Sequence, residues 1–177
     1  MDHFLYRDGA LFAEDVPVAE IAAAFETQVP MDVAGLGEGR QRYGFFTNDD
    51  GGILDDLMLA NRGDHIFVVV NAACKVADLA HLQKHLSDCD VTPLPDRALI
   101  ALQGPKAVEV LGLHDMKFME VADHNINGVP CIISRSGYTG EDGFEISAPA
   151  DQAATLAKHF LDHDAVEPIG LGARDSL

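Results

Sequence analysis

Basic residues are scarce in this chain: 12 Lys and Arg stand against 29 Asp and Glu, for a formal net charge of −17 at pH 7. Binding a polyanion requires cations that release its counterions, so no nucleic-acid partner is expected, and no anionic membrane surface either. Long apolar runs are also missing. Although 47% of the residues are hydrophobic, no run approaches the roughly 18 residues of a membrane-spanning helix, and the expected class is soluble and globular. No basic, apolar leader follows Met1-Asp2-His3. Cysteine occurs only at Cys74, Cys89 and Cys131. An odd number without Cys-x-x-Cys spacing predicts free thiols in a reducing compartment, the cytoplasm, and argues against a disulfide scaffold or structural zinc. There is no Gly-x-Ser-x-Gly elbow. Gly170-Leu171-Gly172 lacks the third glycine and the parallel βαβ context of a dinucleotide site. Internal repeats and low-complexity segments are absent.

What is present is turn chemistry between β-prone runs. A chain of 177 residues can build one sizeable core or two small intertwined ones, burying about 70% of its unfolded surface. Phe4–Tyr6 and Leu11–Phe12 read as two short strands about an Asp8-Gly9 turn. Pro17 then opens a helix over Val18–Gln28, with Val18, Ile21, Ala22 and Phe25 at helical spacing. Arg42–Thr47 and Ile53–Ala60 flank Asn48-Asp49-Asp50-Gly51-Gly52, which predicts a hairpin. Ile66–Asn71 adds a third strand, making a meander. Cys74–Leu86 is a helix expected to bury Val76, Leu79, Leu82 and Leu86. Val91–Asp96 reads as a connector and Ala98–Gln103 as a strand, followed by a short helix over Lys106–Leu111. Strands return from Lys117 to Ile146 around an Asn125–Gly128 turn, and a helix over Ala150–His163 turns Ala153, Leu156, Ala157, Phe160 and Leu161 inward. Hairpins outnumber βαβ patterns, so the class is α+β with antiparallel sheets and flanking helices. The last ten residues stop inside what reads as a new element, as expected for a piece of something longer.

Three places could carry chemistry. In Ser134–Ile146, Gly137, Gly140 and Gly143 recur every third residue between β-prone ends, and Glu141, Asp142 and Glu145 supply carboxylates. Such spacing marks unusual backbone angles or close approach to a ligand, or simply an acidic hairpin tip. Asp55 and Asp56 interrupt the apolar run Ile53–Leu59. Alternation puts Asp56 with Leu54 and Met58 and Asp55 with Ile53, Leu57 and Leu59, so one carboxylate faces the buried side. A carboxylate there is costly unless paired and is suited to proton transfer; the alternative is an edge strand guarded against aggregation. Arg174, after Gly170–Ala173, suits anion recognition at a helix start, although surface arginines are common. His81 and His85, four apart, could chelate a metal, but no third ligand is near in sequence and no metal is expected.

Four motifs in order, and a fifth at the end, make the chain similar to a known family. Gly51-Gly52-Ile53-Leu54-Asp55-Asp56-Leu57, Val69-Val70-Asn71-Ala72-Ala73-Cys74, Ala101-Leu102-Gln103-Gly104-Pro105 and Ser136–Ile146, followed by Gly172-Ala173-Arg174-Asp175-Ser176-Leu177, resemble the aminomethyltransferase (T-protein) of the glycine cleavage system. The resemblance runs from about Thr27 to Leu177. It implies transfer of an aminomethyl group from the lipoyl arm of the H-protein to tetrahydrofolate as co-substrate, giving 5,10-methylenetetrahydrofolate and ammonia. It further implies that Asp56 assists the transfer, that Glu145 holds the pterin and Arg174 contacts the folate, and that Asn71 and Tyr138 line the same pocket. A pterin edge offers two N–H groups to one carboxylate, and an anion near the one-carbon unit favours an iminium-like centre.

The implied fold is a ferredoxin-like meander unit over 1–97, with its first 15 or so residues uncertain, interleaved with part of a Greek-key folate-binding unit over 98–177. The family's C-terminal domain and an N-terminal segment are not in this sequence, so weak folate binding and little activity are expected of the piece alone. A folate-dependent demethylase of a small methylated compound and a non-catalytic folate-binding relative are the alternatives. Lys75, Arg97 and Lys106 are candidates for a basic patch meeting the H-protein.

Overall fold

The computed structural model describes residues 6–11, 17–174 and 176, with side chains described from Pro17 onward apart from Leu171 and Arg174. Its residues divide into two units, Arg7–Pro95 and Asp96–Leu177, the latter including Tyr6. The first contains β1 (Tyr6–Leu11) from Arg7 onward, α1 (Val18–Glu26), β2 (Arg40–Thr47), β3 (Ile53–Asn61), β4 (Ile66–Val70) and α2 (Lys75–His85). Its strands run in the order β2-β3-β4-β1, each antiparallel to its neighbour.

Asn48 makes the β2–β3 turn. Its side-chain oxygen accepts N–H bonds from Asp50 (3.1 Å) and Gly52 (2.7 Å), and Gly51 takes φ +78°, where a side chain would be strained. Period-two alternation then sends Phe46, Leu57, Leu59, Ile66 and Val68 inward against Ile21 and Phe25 of α1 and Leu82 of α2. The Phe25 and Phe46 rings lie 6.0 Å apart, in the range of a favourable aromatic pair.

Two expectations for this unit need correction. No turn forms at Asp8-Gly9: β1 runs straight through it, because Gly9 is in register with Val68 and the β4 ladder satisfies the backbone there. On α2, Val76 is 75% exposed, and the inward row is Asp78, Leu82 and Leu86. These residues stand four apart and so share one helix face.

In the second unit the Arg97–Gln103 segment of β5 (Val91–Gln103) starts a sheet completed by β6 (Val121–Ile126), β7 (Val129–Arg135) and β8 (Gly143–Pro149), in the antiparallel order β5-β8-β7-β6. The expected connector Val91–Asp96 is in fact the start of β5. Pro93 and Pro95 are exposed there, in keeping with the confinement of strand prolines to positions that owe no ladder N–H. Three helices, α3 (Ala107–Leu111), α4 (Ala153–Leu161) and α5 (Leu171–Arg174), complete the unit. Asn127 and Gly128, at φ 52° and 88°, turn β6 into β7, as an Asn-Gly hairpin requires.

A second core gathers Leu102, Val129, Cys131, Ile133, Phe144 and Ile146 with Leu156 and Phe160 of α4. Leu161 was expected inside but is 42% exposed, lying one residue past the last buried position of the helix. The molecule is therefore α+β, with antiparallel sheets and flanking helices.

Candidate functional site

The alternation of β3 settles which aspartate is buried. Asp55 shares the core face with Leu57 and Leu59 and is 8% exposed, whereas Asp56 points to the open face. Across the ladder Leu57 pairs with Val70, so Asn71, the first residue after β4, arrives beside both carboxylates. Its side-chain amide donates to Asp56 Oδ1 at 2.6 Å and to Asp55 Oδ1 at 3.0 Å, while its backbone N–H donates to Asp55 Oδ2 at 3.3 Å. The Asn71 carbonyl in turn accepts from the backbone N–H groups of Cys74 (2.9 Å) and Lys75 (3.0 Å) where α2 begins. Strand end and helix start thus hold Asn71 from both sides. Tyr43 of β2 lies diagonally from Asp56 on the same face; burial raises its phenol pKa, and the charge and hydrogen bond of Asp56 raise it further.

Behind Asp55 stands Asp78, on the first turn of α2 and 4% exposed. Burial, then hydrogen bonding to Asp55, then the charge of Asp55 push its carboxyl up to about 7. The Cys74 thiol is also pushed up, by burial first and then by Asp55. Asp78, Cys74 and Tyr43 escaped the sequence reading. A polar residue in the i, i+4, i+8 row with Leu82 and Leu86 was the available signal for Asp78.

The second unit organises the glycine-spaced loop from strand pairs. Ser134 on β7 faces Glu145 on β8. Ser136 Oγ donates to Glu145 Oε2 at 2.7 Å, and the Ser134 and Ser136 hydroxyls are 2.9 Å apart. Since Ser136 gives its proton to the carboxylate, Ser134 must donate to Ser136, so the relay points at Glu145. Both serines are buried, and Glu145 is half-buried.

The loop itself closes tightly. Ser136 N–H donates to the Gly143 carbonyl (2.9 Å), Gly104 N–H to the Asp142 carbonyl (2.7 Å), and Tyr138 N–H to Gln103 Oε1 (3.0 Å). Arg135 grips Asp142 with two bonds, 2.9 and 2.7 Å, and donates to the Met116 carbonyl at 2.5 Å. The guanidinium holds the Asp142 carboxyl below its usual range. Two of the three glycines are explained by contact: a side chain at Gly137 would strike the Glu141 carbonyl, and one at Gly143 would strike the Gln103 amide.

Asp56 and Asn71 are thus joined within the first unit. Glu145 and Tyr138 belong to the second, where Tyr138 exposes its ring (44%) beside a backbone pinned to Gln103. Arg174 ends α5, and its side chain lies outside the described residues. Of the three candidate docking cations, Arg97 is engaged with the hydroxyl and carbonyl of Ser147, both at 2.7 Å. His81 stacks on His85, with ring centroids 4.6 Å apart; among the described residues no cluster of three His, Cys, Asp or Glu could hold a metal. No helix among them is long and apolar enough to cross a membrane.

Comparison with known proteins gives this geometry a context. The crystal structure of glycine cleavage system aminomethyltransferase T from Bartonella henselae is similar at TM-score 0.84 and 37% identity, covering 97% of this chain and 47% of that one. Among curated proteins, the mitochondrial aminomethyltransferase of Dictyostelium discoideum is 41% identical over 175 residues, spanning 86% of this chain and 43% of its own length. That of Solanum tuberosum is 44% identical over 168 residues, spanning 86% and 41%. The chain therefore spans less than half the length of the relatives it matches. The family model for the GCVT N-terminal domain matches residues 19–177. By that match the chain belongs to the GCVT N-terminal domain family.

Proposed function

We propose that this chain is the folate-handling part of an aminomethyltransferase of glycine cleavage. The reaction is transfer of an aminomethyl group from the lipoyl arm of H-protein to tetrahydrofolate, with release of ammonia and formation of 5,10-methylenetetrahydrofolate. The observation that carries this reading is the oriented acceptor at Glu145: the buried Ser134–Ser136 relay holds one carboxylate oxygen, and Ser134 faces Glu145 across the β7–β8 ladder. A flat ring edge with two N–H donors is the complement of such a group.

Asp56, held by Asn71, supplies a carboxylate on an open sheet face, suited to favouring positive charge on the one-carbon unit or moving a proton between folate nitrogen and departing ammonia. Tyr138 and Arg174 are the further proposed folate contacts. H-protein is the proposed partner, with Lys75 and Lys106 as candidate contacts on the surface. The proposed compartment is a reducing one, the cytoplasm, in line with three free cysteines; the plant and Dictyostelium relatives are themselves named mitochondrial.

Calorimetric titration with tetrahydrofolate tests the reading. Glu145→Gln should weaken binding at least about tenfold, since one pterin N–H would then face an amide N–H instead of an acceptor. Asp56→Asn should change affinity much less than it lowers single-turnover methylene-folate formation. Equal affinity of wild type and Glu145→Gln would sink the assignment.

A further inference from the structure

Asp55 and Asp78 have no part in that reaction, yet among the described residues they are the two buried carboxyls of the first unit. Asp55 accepts from Asn71 through the backbone and side-chain bonds of 3.3 and 3.0 Å, and the same Asn71 amide nitrogen donates its other proton to Asp56 at 2.6 Å. One side chain thus spans a buried carboxyl and the open-face carboxyl of the proposed reaction. Asp78 Oδ2 is buried and no N–H among the described residues reaches it, which leaves the Asp55 carboxylate as the group that its own proton meets. Two carboxyls sharing a buried site cannot both give up their protons cheaply, and Asp78, raised to about 7, is the one that keeps its own. The titratable groups around the pair are Asp56 on β3, Cys74 ahead of α2 and Tyr43 on β2, and burial raises both the thiol and the phenol pKa.

We propose that Asp78 is a positioning residue for Asp56: its proton, shared with Asp55, keeps Asp55 the weaker and Asp56 the closer acceptor of the Asn71 amide. When that proton leaves, Asp55 loses its donor and draws the amide inward. The bond to Asp56 then lengthens, and Asp56 is freed to rotate. The inference rests on the proposed role of Asp56, but the titration it requires does not depend on folate.

The test is carboxyl-carbon and side-chain amide NMR of the ligand-free 177-residue chain, labelled at Asp and Asn, from pH 4 to 9. One Asp carboxyl should titrate with a midpoint near 7, and the Asn71 side-chain N–H resonances should inflect at the same midpoint. Asp78→Asn, which keeps a donor toward Asp55 but cannot ionise, should remove both inflections. Asp55→Asn should lower the Asp78 midpoint by the part due to Asp55 and leave it above about 4, the ordinary carboxylate range, because the burial of Asp78 remains. If every Asp carboxyl titrates below about 5, the proton-sharing pair is overturned. If Asp78 titrates near 7 while the Asn71 amide stays flat, the coupling to Asp56 is overturned. Failure of tetrahydrofolate to bind would count against the proposed function and leave this result standing.

Discussion

Two aspartates place opposite pH signatures on the stability of the chain. The Asp78 carboxyl is raised to about 7, so between about pH 4 and 7 the folded chain holds a proton that the unfolded chain has released. Its contribution is therefore complete below pH 4 and lost as pH rises through 7, at about 1.4 kcal/mol per unit of displacement. Asp142 is lowered by its bond to Arg135, so its contribution is present above about pH 4 and disappears as pH falls through its folded value. Asp142→Asn should accordingly cost about 1.5–3 kcal/mol at pH 7, the worth of a hydrogen bond to a charged group, and measurably less at pH 3, below the ordinary carboxylate value. Urea unfolding at the two pH values checks this, and an equal loss at both would place the role of Asp142 elsewhere. Alternation along Ile53–Leu59 made it legible that one aspartate faces inward, but not which, because that depends on where α1 and α2 pack. Asp78 was missed because a polar residue on a helix is ordinarily read as solvated.

The α2 face shows what an element needs beyond its own periodicity. Counting apolar residues selects Val76 and Leu79 with Leu82 and Leu86, yet the packed row admits Asp78 and turns Val76 out. Leu82→Ala should destabilise by about 2–5 kcal/mol, as large-to-small core changes do, whereas Val76→Ala should stay within about 0.5 kcal/mol. Chemical denaturation of the two variants separates the readings, and comparable losses would restore the apolar count. Hairpins were the most legible elements, since Asn48 and Asn125 bond their own turns and need no distant partner. β1 and the first half of β5 were not, because Asp8-Gly9, Pro93 and Pro95 read locally as breakers. The hydroxyl relay to Glu145 was equally hidden: it depends on which residues face each other across β7 and β8, and single-strand propensities do not encode that register.

At the scale of the whole chain, the class was legible because each unit repeats the same device, an antiparallel sheet with helices covering a face, around a core of its own. Charge acts on the chain at this scale. A net −17 repels itself in the compact state, and the repulsion between exposed carboxylates is screened once the Debye length falls from about 30 Å at 0.01 M salt to about 8 Å at 0.15 M. Raising NaCl between those concentrations at pH 7 should therefore raise the thermal midpoint, by about 2–4 °C for each kcal/mol of repulsion relieved. The same experiment separates surface from buried electrostatics. Asp78 lies out of reach of mobile ions, so Asp78→Asn should flatten the fall in stability between pH 4 and 7 while leaving the salt response as large as in the wild type. A salt response that vanished with Asp78 would show instead that the buried pair, and not the acidic surface, carries the cost of the charge imbalance.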